Sequence, residues 1–136
     1  MAEYDVKGVH HLGFVVHNLD ESLKKWEALF GVKAEICVKP ELNVRYGALD
    51  IGGVTFVLNE STKAGSRWEK FLEIHGEGLE HVALEVDDID KASEAAQAKG
   101  FELRFKEQKL IHGLMTNFVE DMGVTDVEFM GPAKEQ

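Results

Sequence analysis

The feature that most constrains this chain is an internal repeat. Residues 9–16 (VHHLGFVV) alternate and are rich in β-branched side chains, the pattern of a strand. Leu19, Leu23, Trp26 and Phe30 follow at helical spacing, with Asp20 expected as the N-cap and Gly31 as the stop. Three strand-like segments come next, 33–38, 44–50 and 54–58, punctuated by Pro40 and by Gly52-Gly53. The second half replays this order. A strand is expected over 80–86, a helix capped within 87–90 and running to about Lys99, and strands over 101–106, 114–119 and 125–130. His11 and His81 lie 70 residues apart, as do Asn18-Leu19-Asp20 and Asp88-Ile89-Asp90. Element order, caps and histidines recur together, so the expected fold class is α+β, built from two tandem β-α-β-β-β modules. Module one spans about 7–60 and module two about 79–131. The connector, about 61–78, holds a helical stretch over 66–73 with Trp68, Phe71 and Leu72 on one side. The 136 residues fit a single domain containing both modules.

Composition narrows the function. Fifteen basic against 25 acidic side chains give a net charge of −10, which disfavours nucleic acid and anionic lipid as partners. One cysteine, Cys37, excludes a disulfide framework and reads as a small buried apolar residue. No apolar run approaches 18 residues, and MAEYDVKG lacks a signal-peptide pattern, so a cytoplasmic protein is expected. Phosphate-loop, dinucleotide and nucleophile-elbow motifs are absent. The acidic run 85–90 lacks the glycine and terminal Glu of a calcium loop and reads as a capped helix start.

A histidine stands in the first strand of each module. Alternate strand residues share a face, which groups His11 with Gly13 and Val15, and His81 with Ala83 and Glu85. In 124–130 (VTDVEFM), Val127 and Phe129 suit a helix-facing side, leaving Asp126, Glu128 and Met130 on the other. A carboxylate directed into a cavity is costly unless it is paired, protonated or bound to metal. Alone, each histidine reads as an ordinary hydrogen-bonding strand residue and Glu128 as a rim residue. The duplicated position favours a shared site for a divalent ion (Co, Zn, Mn, Ni or Fe) on His11, His81 and Glu128. His10 has the opposite parity, His17 and His75 lie at loop edges, and His112 sits on a loop entering a late strand.

These residues resemble the vicinal oxygen chelate superfamily (glyoxalases, bleomycin-resistance proteins, dioxygenases), and within it the methylmalonyl-CoA epimerase family. The resemblance rests on His11-Leu12-Gly13, on FLEIHGEGLEHVALEVDDID over 71–90, on Ile111-His112-Gly113 and on Asp126-Val127-Glu128-Phe129. It covers roughly residues 7–131. It implies a curved mixed sheet around a metal-containing cavity, His11, His81 and Glu128 as metal ligands, a small-molecule substrate and a homodimer.

The chain also departs from that family. The fourth ligand position falls on Val57, a basic turn that would help to hold CoA phosphates reads Val119-Glu120-Asp121, and a second acid/base glutamate becomes Tyr46. Three functions follow. The first is an isomerase or lyase that forms a metal-stabilised enolate on an acyl-CoA or related dicarbonyl substrate, with Glu128, Glu85, Tyr46 and His112 as candidate proton carriers. The second is a non-haem Fe(II) dioxygenase with two histidines and one carboxylate. The third is a resistance-type binding protein without chemistry. Arg45, Arg67 and Arg104 are the cations that a phosphate-rich substrate would call on.

Overall fold

The computed structural model describes residues 4–111 and 113–132. They divide into two compact units, one of residues 11–80, the other of residues 4–10 with 81–132. Among the described residues no helix is long and apolar enough to cross a membrane.

In the unit of residues 11–80, strand β1 (Val6–Val15, entering from the other unit) leads into helix α1 (Leu19–Phe30) and strands β2 (Glu35–Lys39), β3 (Val44–Ile51) and β4 (Val54–Ser61). The sheet order is β2-β3-β4-β1, with β1 and β4 parallel and β3 antiparallel to both its neighbours. Strand parity sends Leu12, Phe14, Phe56, Leu58 and Leu49 to one face. On that face α1 packs Leu19 and Leu23 against Leu49 and Leu58, with Trp26 between Phe14 and Phe56. Burying each such Leu contributes about 1.5–3 kcal/mol. On the opposite face, helix α2 (Arg67–His75) brings Trp68, Phe71 and Leu72 onto Val15, Val44 and Tyr46.

The unit of residues 4–10 and 81–132 repeats the topology. Strand β5 (Gly78–Val86, entering from the other unit) is followed by helix α3 (Ile89–Ala98) and strands β6 (Lys109–Ile111), β7 (Leu114–Val119) and β8 (Asp126–Gly131). The order is β6-β7-β8-β5, with β5 and β8 parallel. Ile89 and Ala92 of α3 pack on Val86, Val119 and Phe129. The segment before β1 docks here: Asp5 donates its amide to the Asp87 carboxylate at 2.8 Å and accepts the Asp87 amide at 3.1 Å. The fold class is therefore α+β with two β-α-β-β-β repeats, as the sequence pattern predicts.

Two local expectations are corrected. Asn18, not Asp20, caps α1: Asn18 is extended, and its side-chain oxygen accepts from the Glu21 amide at 3.1 Å. An N-cap stands just before the helix, two or three residues ahead of the amide it satisfies, and Asp20 already lies inside the first turn. No continuous strand forms over 101–106. Only Leu103 bridges to Val119, and the edge strand begins again at Lys109. In the gap, buried Asn117 substitutes for a ladder partner. Its amide oxygen accepts from the Phe105 N–H, and its amide nitrogen donates to the Phe105 carbonyl, both at 3.0 Å.

Gly131 ends β8 where nothing larger fits. A Cβ there would lie 2.3 Å from the Val86 carbonyl oxygen, a backbone atom that cannot swing away. Gly131→Ala is expected to lose about 1–3 kcal/mol, read as a lower urea midpoint with an unchanged slope.

Candidate metal centre

In the unit of residues 4–10 and 81–132, parity places His81, Ala83 and Glu85 of β5 on the sheet face away from α3. With them lie Asp126, Glu128 and Met130 of β8, and Thr116 and Phe118 of β7. The His81 Nε2 stands 3.6 Å from Glu128 Oε1, and each residue is 5% exposed. The other carboxylate oxygen, Oε2, accepts a short hydrogen bond from the Thr116 hydroxyl, which is fully buried. Phe118 meets the His81 ring edge-on, with centroids 5.9 Å apart. Behind Phe118, the Arg104 guanidinium stacks 4.3 Å from the ring centroid, while binding Glu120 at 2.7 Å and Asp126 at 3.0 Å. The imidazole is thus backed by an aromatic edge, and the carboxylate is fixed at one oxygen.

A buried carboxylate beside a neutral imidazole is a nitrogen–oxygen donor pair suited to a borderline divalent cation. A hydroxyl on the second carboxylate oxygen is the kind of outer partner that orients a metal ligand. His81 and Glu128 therefore fit the ion that the sequence pattern implies.

In the unit of residues 11–80, the equivalent positions follow from the registers. His11 pairs with Thr55 and Gly13 with Val57 on β4, as His81 pairs with Asp126 and Ala83 with Glu128 on β8. Val57 is thus the counterpart of Glu128, and an isopropyl group stands where the other repeat carries its carboxylate. His11 is half-buried on the face away from α1.

The other sequence candidates lie apart from this chemistry in different ways. Glu85 shares the His81 face, at the far end of β5, and is exposed. His112 lies outside the described residues. Tyr46 sits between Cys37 and Asn59 and packs on the Trp68 cluster. Burial pushes its phenol well above the ordinary tyrosine range, reinforced by a hydrogen bond with the Cys37 thiol and by nearby Glu35. A phenol so held stays protonated at neutral pH, able to donate a hydrogen bond but a weak acid. His75 stacks on Phe71 at 4.9 Å. All three arginines singled out from the sequence are engaged: Arg45 with Asp20 and Glu60, Arg67 in a two-pronged pair with Glu80, and Arg104 as above. Sequence reasoning missed Thr116 and Phe118. Their alternation through 114–119 gives their face, but nothing in the sequence assigns them Glu128 and His81 as partners.

The sequence matches the model of the glyoxalase/bleomycin resistance protein/dioxygenase superfamily over residues 10–115, well over half of the chain. The chain belongs to that superfamily. Its structure is similar to methylmalonyl-CoA epimerase from Mycobacterium tuberculosis, with a TM-score of 0.86 and 22% identity over 98% of this chain and 93% of that one. It is similar also to a variant of the Streptomyces coelicolor methylmalonyl-CoA epimerase in complex with 2-nitronate-propionyl-CoA, with a TM-score of 0.85 and 25% identity over 96% of this chain and 100% of that one. A hypothetical protein from Bacillus halodurans gives a TM-score of 0.84 at 22% identity, over 98% of this chain and 97% of that one. No curated protein sequence matches.

The Tyr46 environment generates a pH prediction. The unfolded chain ionises this phenol near pH 10 and the folded chain only above it, so stability is intact below that value and falls as pH rises past it. Absorbance titration of the folded protein near 295 nm is expected to show a late phenolate phase that Tyr46→Phe removes. A Tyr46→Phe variant with the same late phase would contradict the assignment.

Proposed function

We propose that this superfamily member is a metal-dependent enzyme whose ion is held by His81, Glu128 and His11. The reaction proposed is an isomerase- or epimerase-like proton transfer beside a carbonyl of an acyl-CoA or related dicarbonyl substrate. The observation that carries this reading is the buried His81–Glu128 pair with its Thr116 hydroxyl. A buried carboxylate needs a counter-charge, and a divalent ion shared with the imidazole would supply one. The fold likeness to methylmalonyl-CoA epimerases supports the reaction class. The same reading carries one functional domain made of both units and a cytoplasmic homodimer.

When bound, the divalent ion supplies a Lewis acid for two neighbouring substrate oxygens, a contribution of several kcal/mol. The residues do the rest. Thr116 holds Glu128 in one orientation, and Phe118 keeps the far side of His81 dry. A dry wall raises the strength of every electrostatic interaction beside it. Glu85, at the solvated end of the same strand face, is the group that exchanges a proton with water, and Tyr46, held protonated, donates only a hydrogen bond.

Val57 favours a second reading. With three protein ligands the ion keeps open positions, the arrangement of non-haem Fe(II) oxygenases. Oxygen uptake by the Fe(II)-loaded protein with a catecholic substrate tests it.

The primary reading predicts that purified protein reloaded with Co, Zn, Mn, Ni or Fe retains a divalent ion close to one per chain by elemental analysis. His81→Ala, Glu128→Gln and His11→Ala are each expected to strip it, and Val57→Gln to tighten it. Methylmalonyl-CoA in deuterated water is expected to exchange its α-proton with the loaded enzyme. Ion retention unaffected by all three substitutions sinks the site, while a flat exchange signal at high enzyme concentration sinks the substrate alone.

A further inference from the structure

The two repeats differ beneath their helices. By the 70-residue offset and the strand registers, Phe14 corresponds to Leu84, Trp26 to Ala96 and Phe56 to Val127. In the unit of residues 11–80 these positions carry three aromatic rings that fill the space under α1. Phe14 stacks on Phe56 at 6.0 Å, and Trp26 stands 5.5 Å from Phe56 and 6.0 Å from Phe14. In the other unit Leu, Ala and Val occupy the same places, and a cavity of about 230 Å³ opens there. Phe101 and Met122, both exposed apolar side chains, line it as well, and so does the exposed Lys99.

The size and the lining define what fits. An apolar cavity of about 150 Å³ already takes up benzene, because its walls lack the dispersion partners that a ligand restores. Lys99 is exposed at the end of α3, and no carboxylate pairs with it among the described residues. Leu84 and Val127 point to the helix side of the sheet, whereas His81 and Glu128 point to the other. The cavity is therefore separate from the candidate metal centre and stands whether or not that centre binds an ion.

We propose that this cavity is a second site, for a small amphipathic carboxylate whose apolar body fills the space left by the missing aromatics and whose carboxylate meets the Lys99 ammonium. The test is a heteronuclear NMR titration of the full chain with octanoate, with octan-1-ol as the uncharged control. Saturable shifts are expected at Leu84, Ala96 and Val127. Lys99→Met should weaken octanoate by about two- to fivefold, the share of an exposed ion pair, and leave octanol unchanged. Ala96→Leu, which fills the cavity, should abolish binding of both. Leu84→Phe is a second filler, and whichever variant keeps a dispersed amide spectrum decides the point. The proposal is overturned by octanoate shifts that never saturate or lie elsewhere, or by undiminished affinity in a folded filler variant. It is overturned equally if the cavity residues shift on diluting the free protein, because a second copy then covers them.

Discussion

The structure turns on one buried carboxylate. Glu128 lies in the middle of a sheet strand, where an isolated negative charge would cost several kcal/mol. The chain answers this with a hydroxyl on one oxygen and an imidazole near the other. Each partner is itself fixed: Thr116 by the β7 ladder, and His81 by β5 and the Phe118 edge. Phe118 in turn carries Arg104 on its face, and Arg104 draws Glu120 and Asp126 together. A single polar residue inside the sheet thus organises three strands of side chains. Such an arrangement is a poor way to gain stability and a good way to fix the direction of donor atoms.

Duplication supplies the frame, and its imperfections set the two repeats apart. The two repeats share strand order and sense, so each position in one has a counterpart in the other. Where the counterparts agree, as with the caps at Asn18 and Asp88, they concern folding. Where they disagree, as with Val57 against Glu128 or Trp26 against Ala96, the difference moves a charge or a cavity from one repeat to the other. Asymmetry of this kind separates what a repeat needs to fold from what it is free to specialise.

Much of this was legible in the sequence, because it depends on periodicity. Alternation gave the strands and their faces, and 3.6-residue spacing with Gly31 and Gly100 gave α1 and α3. The face shared by His81 and Glu128 follows from parity alone once the strands are placed. What escaped the sequence is what side chains do across strands. Asn117 replacing a backbone partner for Phe105 splits the strand expected over 101–106, and no propensity records such a substitution. The roles of Thr116 and Phe118 depend on a register between β7 and β8 that the sequence leaves open, since a one-residue slip would exchange the two faces.

The three arginines differ in how firmly the chain holds them. Arg45 is held by Asp20 and Glu60, Arg67 by Glu80 while stacking on Trp68, and Arg104 by Glu120 and Asp126. An anion that draws on one of these guanidiniums has to part it from its carboxylate, at a cost set by how buried that carboxylate is. Arg67 is the hardest to recruit, because its partner Glu80 is buried and would be stranded in a low-dielectric setting. Arg45 is the most accessible to exchange, since Asp20 is largely solvated and Glu60 stands 3.6 Å away, whereas Arg104 is held by two close carboxylates and stacks on Phe118. Of the three arginines, Arg45 is therefore the one that can give up an internal partner for an anion at least cost, and Arg104 the one whose loss would disturb the backing of His81.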